Sequence, residues 1–414
     1  MGNYRYLKYI LLIILISSIA ACRKSSFNDD EKNESPTEGT REQLTLDSIY
    51  LYTKHTYLWN NVLPDYKTFN PRRYNTATSD LLNFRKALYD ISQYKINTLT
   101  SEAYEKTNLP GLSKYSYIEE GILNAGYQAA LNTNTSVTVS ALSSGNIGYL
   151  KLSEFAHLSE LMVPLNEAFT EFASSGITSL VIDLRNNPGG YVETAQHLAN
   201  LIATPSMNDK VMYSEHFNAQ MQSGKAAILK NQLYLDENNQ PVLVDGRRAT
   251  YADVDFSVGG NTYLFKKEGQ LKTISSLYFL VNNGTASASE MLINSLKPYF
   301  NVKLIGEQTY GKPVGSFGIK IDRMVLSAVS FQIKNAKDEG DYFSGMPVEI
   351  AATDEQLGNE SELIFANSLS LINKQQAKVA KTAVARVKSI VNLSSNKVGF
   401  TKPEMIKERL RLKR

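Results

Sequence analysis

Three short apolar runs, each ending in a glycine-bearing turn, constrain this chain more than any other feature. They are Thr178 to Leu184, Leu277 to Val281 and Val302 to Ile305. Runs of that length bounded by turn residues read as strands, the first two of them buried. Leu158 to Phe172, about Val192 to Ile202, and Ser289 to Tyr299 are amphipathic at helical spacing. With a further strand at Ile147 to Leu152, strands alternate with helices, which predicts an α/β domain with parallel pairings.

The flanking regions read differently. From Leu44 to about Tyr94 the pattern is helical. Leu46, Ile49, Tyr50 and Tyr57 share a face, and Ser79 stands where it can cap a helix carrying Leu82, Leu88 and Ile91. Asn60 to Thr78 reads as loop, and Trp59 with its tyrosine neighbours as core of this helical unit. Lys95 to Asn146 has few long apolar runs and no clear assignment. Thr204 to Ser275 reads as a long polar insertion. A chain of 414 residues exceeds one compact core, so more than one folded unit is expected.

Composition excludes several classes. At 43% hydrophobic and 21% charged, the chain is neither wholly disordered nor a multi-span membrane protein. A single Cys excludes an internal disulfide and a zinc site built on several thiolates. His55, His157, His197 and His216 show no ligand spacing, so neither a metal nor another cofactor is expected. A net charge of +3 gives no reason to expect a nucleic-acid partner.

The first residues read as an export signal. Arg5 and Lys8 form a positive start, Ile10 to Ile16 a short apolar core, and Ala20 and Ala21 precede Cys22. A bacterial lipoprotein signal places its lipidated thiol at such a position, so Cys22 is the expected lipidation site. The expected location is the cell envelope, anchored by lipid to the outer membrane of a Gram-negative bacterium. Residues Arg23 to Glu42 are acidic and poor in apolar side chains, as in a tether. At the other end, residues from Lys374 onward carry twelve Lys and Arg against Glu404 and Glu408, which reads as a solvated basic tail.

Chemistry concentrates in three segments. Val181 to Gly190 (Val-Ile-Asp-Leu-Arg-Asn-Asn-Pro-Gly-Gly) leads from a strand into a turn with paired glycines. Asn283 to Glu290 (Asn-Gly-Thr-Ala-Ser-Ala-Ser-Glu) lies where a strand becomes a helix, and Gly306 to Lys312 (Gly-Glu-Gln-Thr-Tyr-Gly-Lys) follows the next strand. A Ser on a tight strand-to-helix turn presents its hydroxyl above unpaired backbone N–H groups that can stabilise an oxyanion. Gly189 and Gly190 let a second loop bring in a backbone N–H without an intervening Cβ. No His-Asp pair accompanies Ser287. Lys312 follows it by one crossover helix and one strand, a step that returns the chain to the same end of the sheet. A lysine serves as a base only when neutral, which requires burial.

These segments resemble the C-terminal processing (tail-specific) peptidases, S41-type Ser-Lys serine endopeptidases. Gly284 to Glu290, Gly306 to Lys312 and Asp183 to Gly190 match that family's nucleophile, base and oxyanion segments, and Ser344-Gly-Met-Pro347 is similar to a later Gly-X-Pro element. The resemblance covers about Ile147 to Ile372. It implies the parallel-strand α/β core of the ClpP/crotonase-like type, with Ser287 as nucleophile and Lys312 as general base. It also implies an oxyanion hole from the Ala288 N–H and an N–H at Gly189 or Gly190. Substrates would be polypeptides, cut through an acyl-enzyme. Asp183 and Arg185 would brace the loop, and Glu290 is structural or helps to orient Lys312. Singly, Ser287 is a helix cap, Lys312 a loop lysine and the glycines a turn; those readings explain neither the order nor the spacing.

Two departures stand out. Where many members carry a Gln four residues after the Lys, this chain has Ser316, a shorter orienting partner. The PDZ module that usually precedes the core has no matching segment between Tyr94 and Ile147, although Lys114 to Ile118 resembles the stretch before it. Both departures favour a second reading, a peptide-binding lipoprotein that does not cut. The expected organisation is a signal peptide (1–21), a tether (22–43), an N-terminal helical domain with reduced or absent PDZ (44–146), a catalytic domain (147–373) and a basic tail (374–414). Nothing in the sequence fixes an oligomeric state.

Overall fold

The computed structural model describes residues 36–76, 78–109, 111–121, 139–144, 146–236, 240–359, 361–376, 404–406 and 410–413. Cys22, the export-signal stretch and most of the acidic tether lie outside the described residues. Among the described residues no helix is long and apolar enough to cross a membrane.

The centre is a six-stranded sheet in the order Ile350–Ala351, Asn301–Gly306, Ser276–Val281, Ser179–Asp183, Ile147–Leu152, Val139–Ser144. Every pairing is parallel except the last. The parallel arrangement follows from the crossovers: Leu158–Ser174 links one adjacent pair of strands and Ala288–Leu296 another. All nine residues of Ala288–Leu296 are buried. Met291, Leu292, Ile293 and Leu296 each contribute roughly 1.5–3 kcal/mol by leaving water. The expected α/β class with a parallel core is therefore what the chain adopts. The ranges Ile147–Leu152 and Val192–Ile202 coincide with those read from the pattern.

Several expectations need correction. The boundary at 146 falls inside the sheet, because Val139–Ser144 is its antiparallel edge. Tyr117–Glu120 likewise pairs with Met324–Ser327, so the N-terminal unit is knitted into the α/β unit that follows it. The polar insertion contains the strand Val211–Phe217, which joins Thr262–Leu264, Phe331–Asn335 and Val314–Gly315 in an antiparallel sheet. The first helix among the described residues, Arg41–Thr56, starts within the stretch read as tether, capped by Thr40. Ser79 precedes the helix Asp80–Ser92 but makes no side-chain cap bond. The loop between these helices contains three short helical turns, one capped by Asp65, whose Oδ1 accepts from the Thr68 N–H at 2.7 Å. Trp59 stacks on Tyr104 with ring centres 5.0 Å apart and leans on Phe343 of the α/β unit, so its core extends beyond the helical unit.

The tail also departs from its reading. Glu404–Ile406 forms a parallel pair with Gly189–Tyr191, and residues 410–413 run along the insertion. These residues pack on the protein because Met405 is buried and Leu410 and Leu412 rest against the core. They are not a solvated basic tail.

Candidate active site

The three chemistry-bearing segments meet because their strands are neighbours. Asn301–Gly306, Ser276–Val281 and Ser179–Asp183 lie side by side and parallel, so the turns that follow them leave from one edge. In open α/β sheets that carboxyl edge is where ligands bind.

Ser287 sits at the start of Ala288–Leu296 with φ 60° and ψ −113°. For a residue with a Cβ this backbone conformation costs on the order of 1–3 kcal/mol and persists only when its surroundings enforce it. The enforcement is visible. The Ser287 N–H donates to Glu290 Oε2 at 3.0 Å, the Ala286 N–H donates to the Asn187 carbonyl at 3.0 Å, and the Thr285 hydroxyl donates to the Leu184 carbonyl at 2.7 Å. The Ser287 side chain is buried, yet its Oγ has no hydrogen-bond partner among the described residues. Ser287 and Glu290 stand in a capping-box arrangement, but the hydroxyl makes no cap hydrogen bond of full geometry.

Glu290 is the brace of the site. Fully buried, it accepts at Oε1 from the Thr309 hydroxyl at 2.6 Å and the Gly311 N–H at 2.7 Å. At Oε2 it accepts from the Ser287 N–H and from the Lys312 N–H at 2.8 Å. One oxygen thus bonds the backbone of both Ser287 and Lys312, so their nitrogens are no farther apart than the sum of those bonds. Burial raises the carboxyl above its ordinary value, while the four donors favour its charged form. Glu290 therefore acts on Lys312 through the backbone.

Lys312 is buried at the end of this loop. It lines a cavity of about 400 Å³ together with Arg85, Leu88, Lys114, Tyr115 and Tyr310. The loop leans on the N-terminal unit: the Tyr115 hydroxyl donates to the Gly311 carbonyl at 2.6 Å, and the Lys114 amine donates to the Phe343 carbonyl at 2.8 Å. Lys114 is a second amine on the same cavity, its pKa lowered by burial to about 8. Gly345 closes the loop from behind. Its φ is +94°, and a Cβ there would lie 2.1 Å from the Thr309 carbonyl, so only glycine fits. The adjacent Met346 N–H donates to the Thr309 hydroxyl at 2.7 Å.

The glycine pair differs from expectation in one respect. The Gly189 N–H donates to Asn187 Oδ1 at 3.0 Å and is already engaged. The Gly189 carbonyl accepts from Phe155 at 2.8 Å, and the Tyr191 N–H donates to the Phe155 carbonyl at 2.7 Å. Alternate backbone groups along a strand face opposite edges, so the Gly190 N–H faces away from Phe155. Of the three expected oxyanion donors, the N–H groups of Gly190, on the edge paired with residues 404–406, and of Ala288 are left as candidates. Ala288 is N1 of its helix, where an N–H has no intrahelical partner.

The remaining candidates fall as follows. Arg185 pairs with Asp183 at 2.9 Å and Asp354 at 3.1 Å, bracing the loop as the sequence suggested. Ser316 is half-buried just past Val314–Gly315, and its side chain makes no hydrogen bond to any described residue. The four histidines have partners elsewhere: His55 with Gln220, His157 with Ser159, His197 with Asn166 and Glu268, His216 with Ser214. Sequence reading missed Asn187, Thr309 and Lys114. The first two are small polar residues inside the motifs, whose bonds to backbone a pattern does not reveal; Lys114 becomes significant only when the bend before Tyr117–Glu120 folds against the loop.

Residues 146–342 match the model of peptidase family S41. The chain is similar to the carboxy-terminal processing protease CtpA of Bacillus subtilis, 27% identical over 42% of this chain and 28% of that protein. It is similar also to the chloroplastic C-terminal processing peptidase of Tetradesmus obliquus, 28% identical over 44% of this chain and 30% of that one. This chain thus spans less than a third of the length of these relatives. Among solved structures, the photosystem II D1 C-terminal processing protease superposes over 79% of this chain and 97% of that one, with a TM-score of 0.46 and 15% identity.

Proposed function

We propose, on the premise that residues 146–342 belong to peptidase family S41, that the protein is a serine endopeptidase that cuts exported polypeptides with a Ser-Lys dyad. The observation that carries the reading is the shared carboxylate oxygen of Glu290, which holds the backbone of Ser287 and Lys312 together while leaving the Ser287 hydroxyl unpartnered. The neutral Lys312 amine takes the Ser287 proton as Oγ attacks the scissile carbonyl. The oxyanion is stabilised by the Ala288 and Gly190 N–H groups. The lysine then gives its proton to the leaving amine, and water, deprotonated in turn by Lys312, hydrolyses the acyl-enzyme.

Labelling of Ser287 by a fluorophosphonate tests this directly. Its rate is expected to rise with pH as the base loses its proton. Lys114, with a pKa of about 8, offers a rival source for that rise. In Lys114→Met the rising limb is expected to persist, with its midpoint moved to higher pH because a neighbouring positive charge is gone. Disappearance of the limb would make Lys114 the base. A folded protein that never labels would be the peptide-binding lipoprotein instead.

The anchoring reading rests on the Ile-Ala-Ala-Cys sequence that ends at Cys22. It places the protein in the cell envelope, held by lipid to the outer membrane. Cys22→Ser is expected to move the protein out of the membrane fraction or to block its processing. A processed, membrane-bound product would sink that part of the reading.

A further inference from the structure

The chain places a piece of itself on the catalytic edge. Glu404, Met405 and Ile406 run parallel to Gly189, Gly190 and Tyr191, residue against residue. The same three residues lie against Val314–Gly315, just past Lys312. They therefore lie between the loop that carries one oxyanion donor and the loop that carries the base. The edge they cover is the one the Gly190 N–H faces, since Phe155 holds the other. Met405 is buried there, within the main core cluster.

A second attachment fixes this segment's position. The Asp255 N–H donates to the Arg411 carbonyl at 2.8 Å, the Lys413 N–H to the Asp253 carbonyl at 2.8 Å, and the Tyr234 hydroxyl to the Leu410 carbonyl. The Arg411 guanidinium stands 4.2 Å above the Tyr263 ring and donates to the Gly260 carbonyl at 2.8 Å. All these partners belong to the insertion, so the last residues are moored to one element while 404–406 extend along another.

An extended peptide recognises a strand edge mainly through its backbone, whatever its sequence. An edge that accepts residues 404–406 in this way accepts other extended polypeptides in the same way, and both cannot be present together. We infer that the edge Gly189–Tyr191 is a docking surface for the chain's own residues 404–406, which compete there with polypeptide substrate. The inference rests on the peptidase reading only for what the competitor excludes. The mooring at 410–413 keeps the competitor's local concentration high without a covalent step.

A competitor in cis reduces the fraction of open sites and so raises apparent KM while leaving kcat unchanged. The test compares the full chain with Met405→Asp, which puts a charge in the buried position, and with Arg411→Glu, which loosens the mooring far from the catalytic loops. Each is assayed on an unfolded reporter polypeptide, with a melting curve to confirm folding. Both variants are expected to lower apparent KM about fivefold to tenfold at constant kcat. A synthetic peptide of residues 404–414 added to either variant is expected to restore the higher KM. In parallel, anisotropy of the labelled peptide is measured on Arg411→Glu combined with Ser287→Ala, a readout independent of turnover. Unchanged KM in both folded variants, or a peptide that does not bind, overturns the inference. If the peptide binds and unfolded polypeptide displaces it, but no form of the protein hydrolyses the reporter, the docking surface stands and the peptidase reading fails.

Discussion

Lys312→Arg is expected to lower turnover on an unfolded polypeptide by about 10²–10⁴-fold, the range a positioned general base contributes, and to fare no better than Lys312→Ala. Guanidinium keeps its charge at any pH compatible with folding, so it cannot accept the Ser287 proton however well it fits. Ser287→Ala should fall at least as far, since no other described group replaces the nucleophile. The double variant should fall no further than the worse single one, because the two residues act as one unit. Melting curves should stay close to wild type for Ser287→Ala, whose Oγ stands in a capping-box arrangement but makes no hydrogen bond of full geometry. Substantial turnover in Lys312→Arg would remove Lys312 from the mechanism and leave Lys114 as the amine to test.

Glu290→Gln is expected to damage both stability and turnover although it is nearly isosteric. The carboxylate receives four donors, two on each oxygen. The amide keeps one oxygen and turns an NH₂ toward the other two donors, leaving buried N–H or O–H groups unpaired at about 1–3 kcal/mol each. The Ser287 turn, already strained, loses the bond that ties it to the base loop. A misplacement of about 1 Å there costs on the order of a hundredfold in rate. Glu290→Asp, one methylene shorter, should keep the carboxylate but fail to reach both loops. The measurement is turnover below the melting temperature of each variant, with melting recorded alongside. Wild-type turnover in folded Glu290→Gln would show that the two loops hold their register without the brace.

How much of this was legible from the chain depends on how local each signal is. Val192–Ile202 and Ile147–Leu152 were readable because periodicity within one element decides them. The three motifs pointed to one edge because strand alternation implies parallel neighbours. Val211–Phe217 was hidden because residues such as Ser214 and Glu215 interrupt its apolar side chains, and its partner Phe331–Asn335 lies more than a hundred residues away. Tyr117–Glu120 was hidden for the same reason, being a strand only by virtue of Met324–Ser327. In the sequence Glu290 reads as a first-turn acid, structural or orienting Lys312. Three of its four partners are backbone N–H groups, which every sequence supplies equally, and the fourth is the Thr309 hydroxyl. The tail misled through its charge: twelve basic residues suggested solvent, while Met405, Leu410 and Leu412 set the packing.

The strand order has a consequence for timing. The oxyanion loop, the nucleophile turn and the base loop come from strands beginning at Ser179, Ser276 and Asn301, so no contiguous stretch of chain contains the site. Closing such distant contacts has an entropic cost that is recovered only when the neighbouring strands are in register. A partly synthesised or still-threading chain therefore holds a serine and a lysine but no pair. Reactivity comes with the completed sheet, and a molecule that unfolds loses it before its own extended segments become available to be cut.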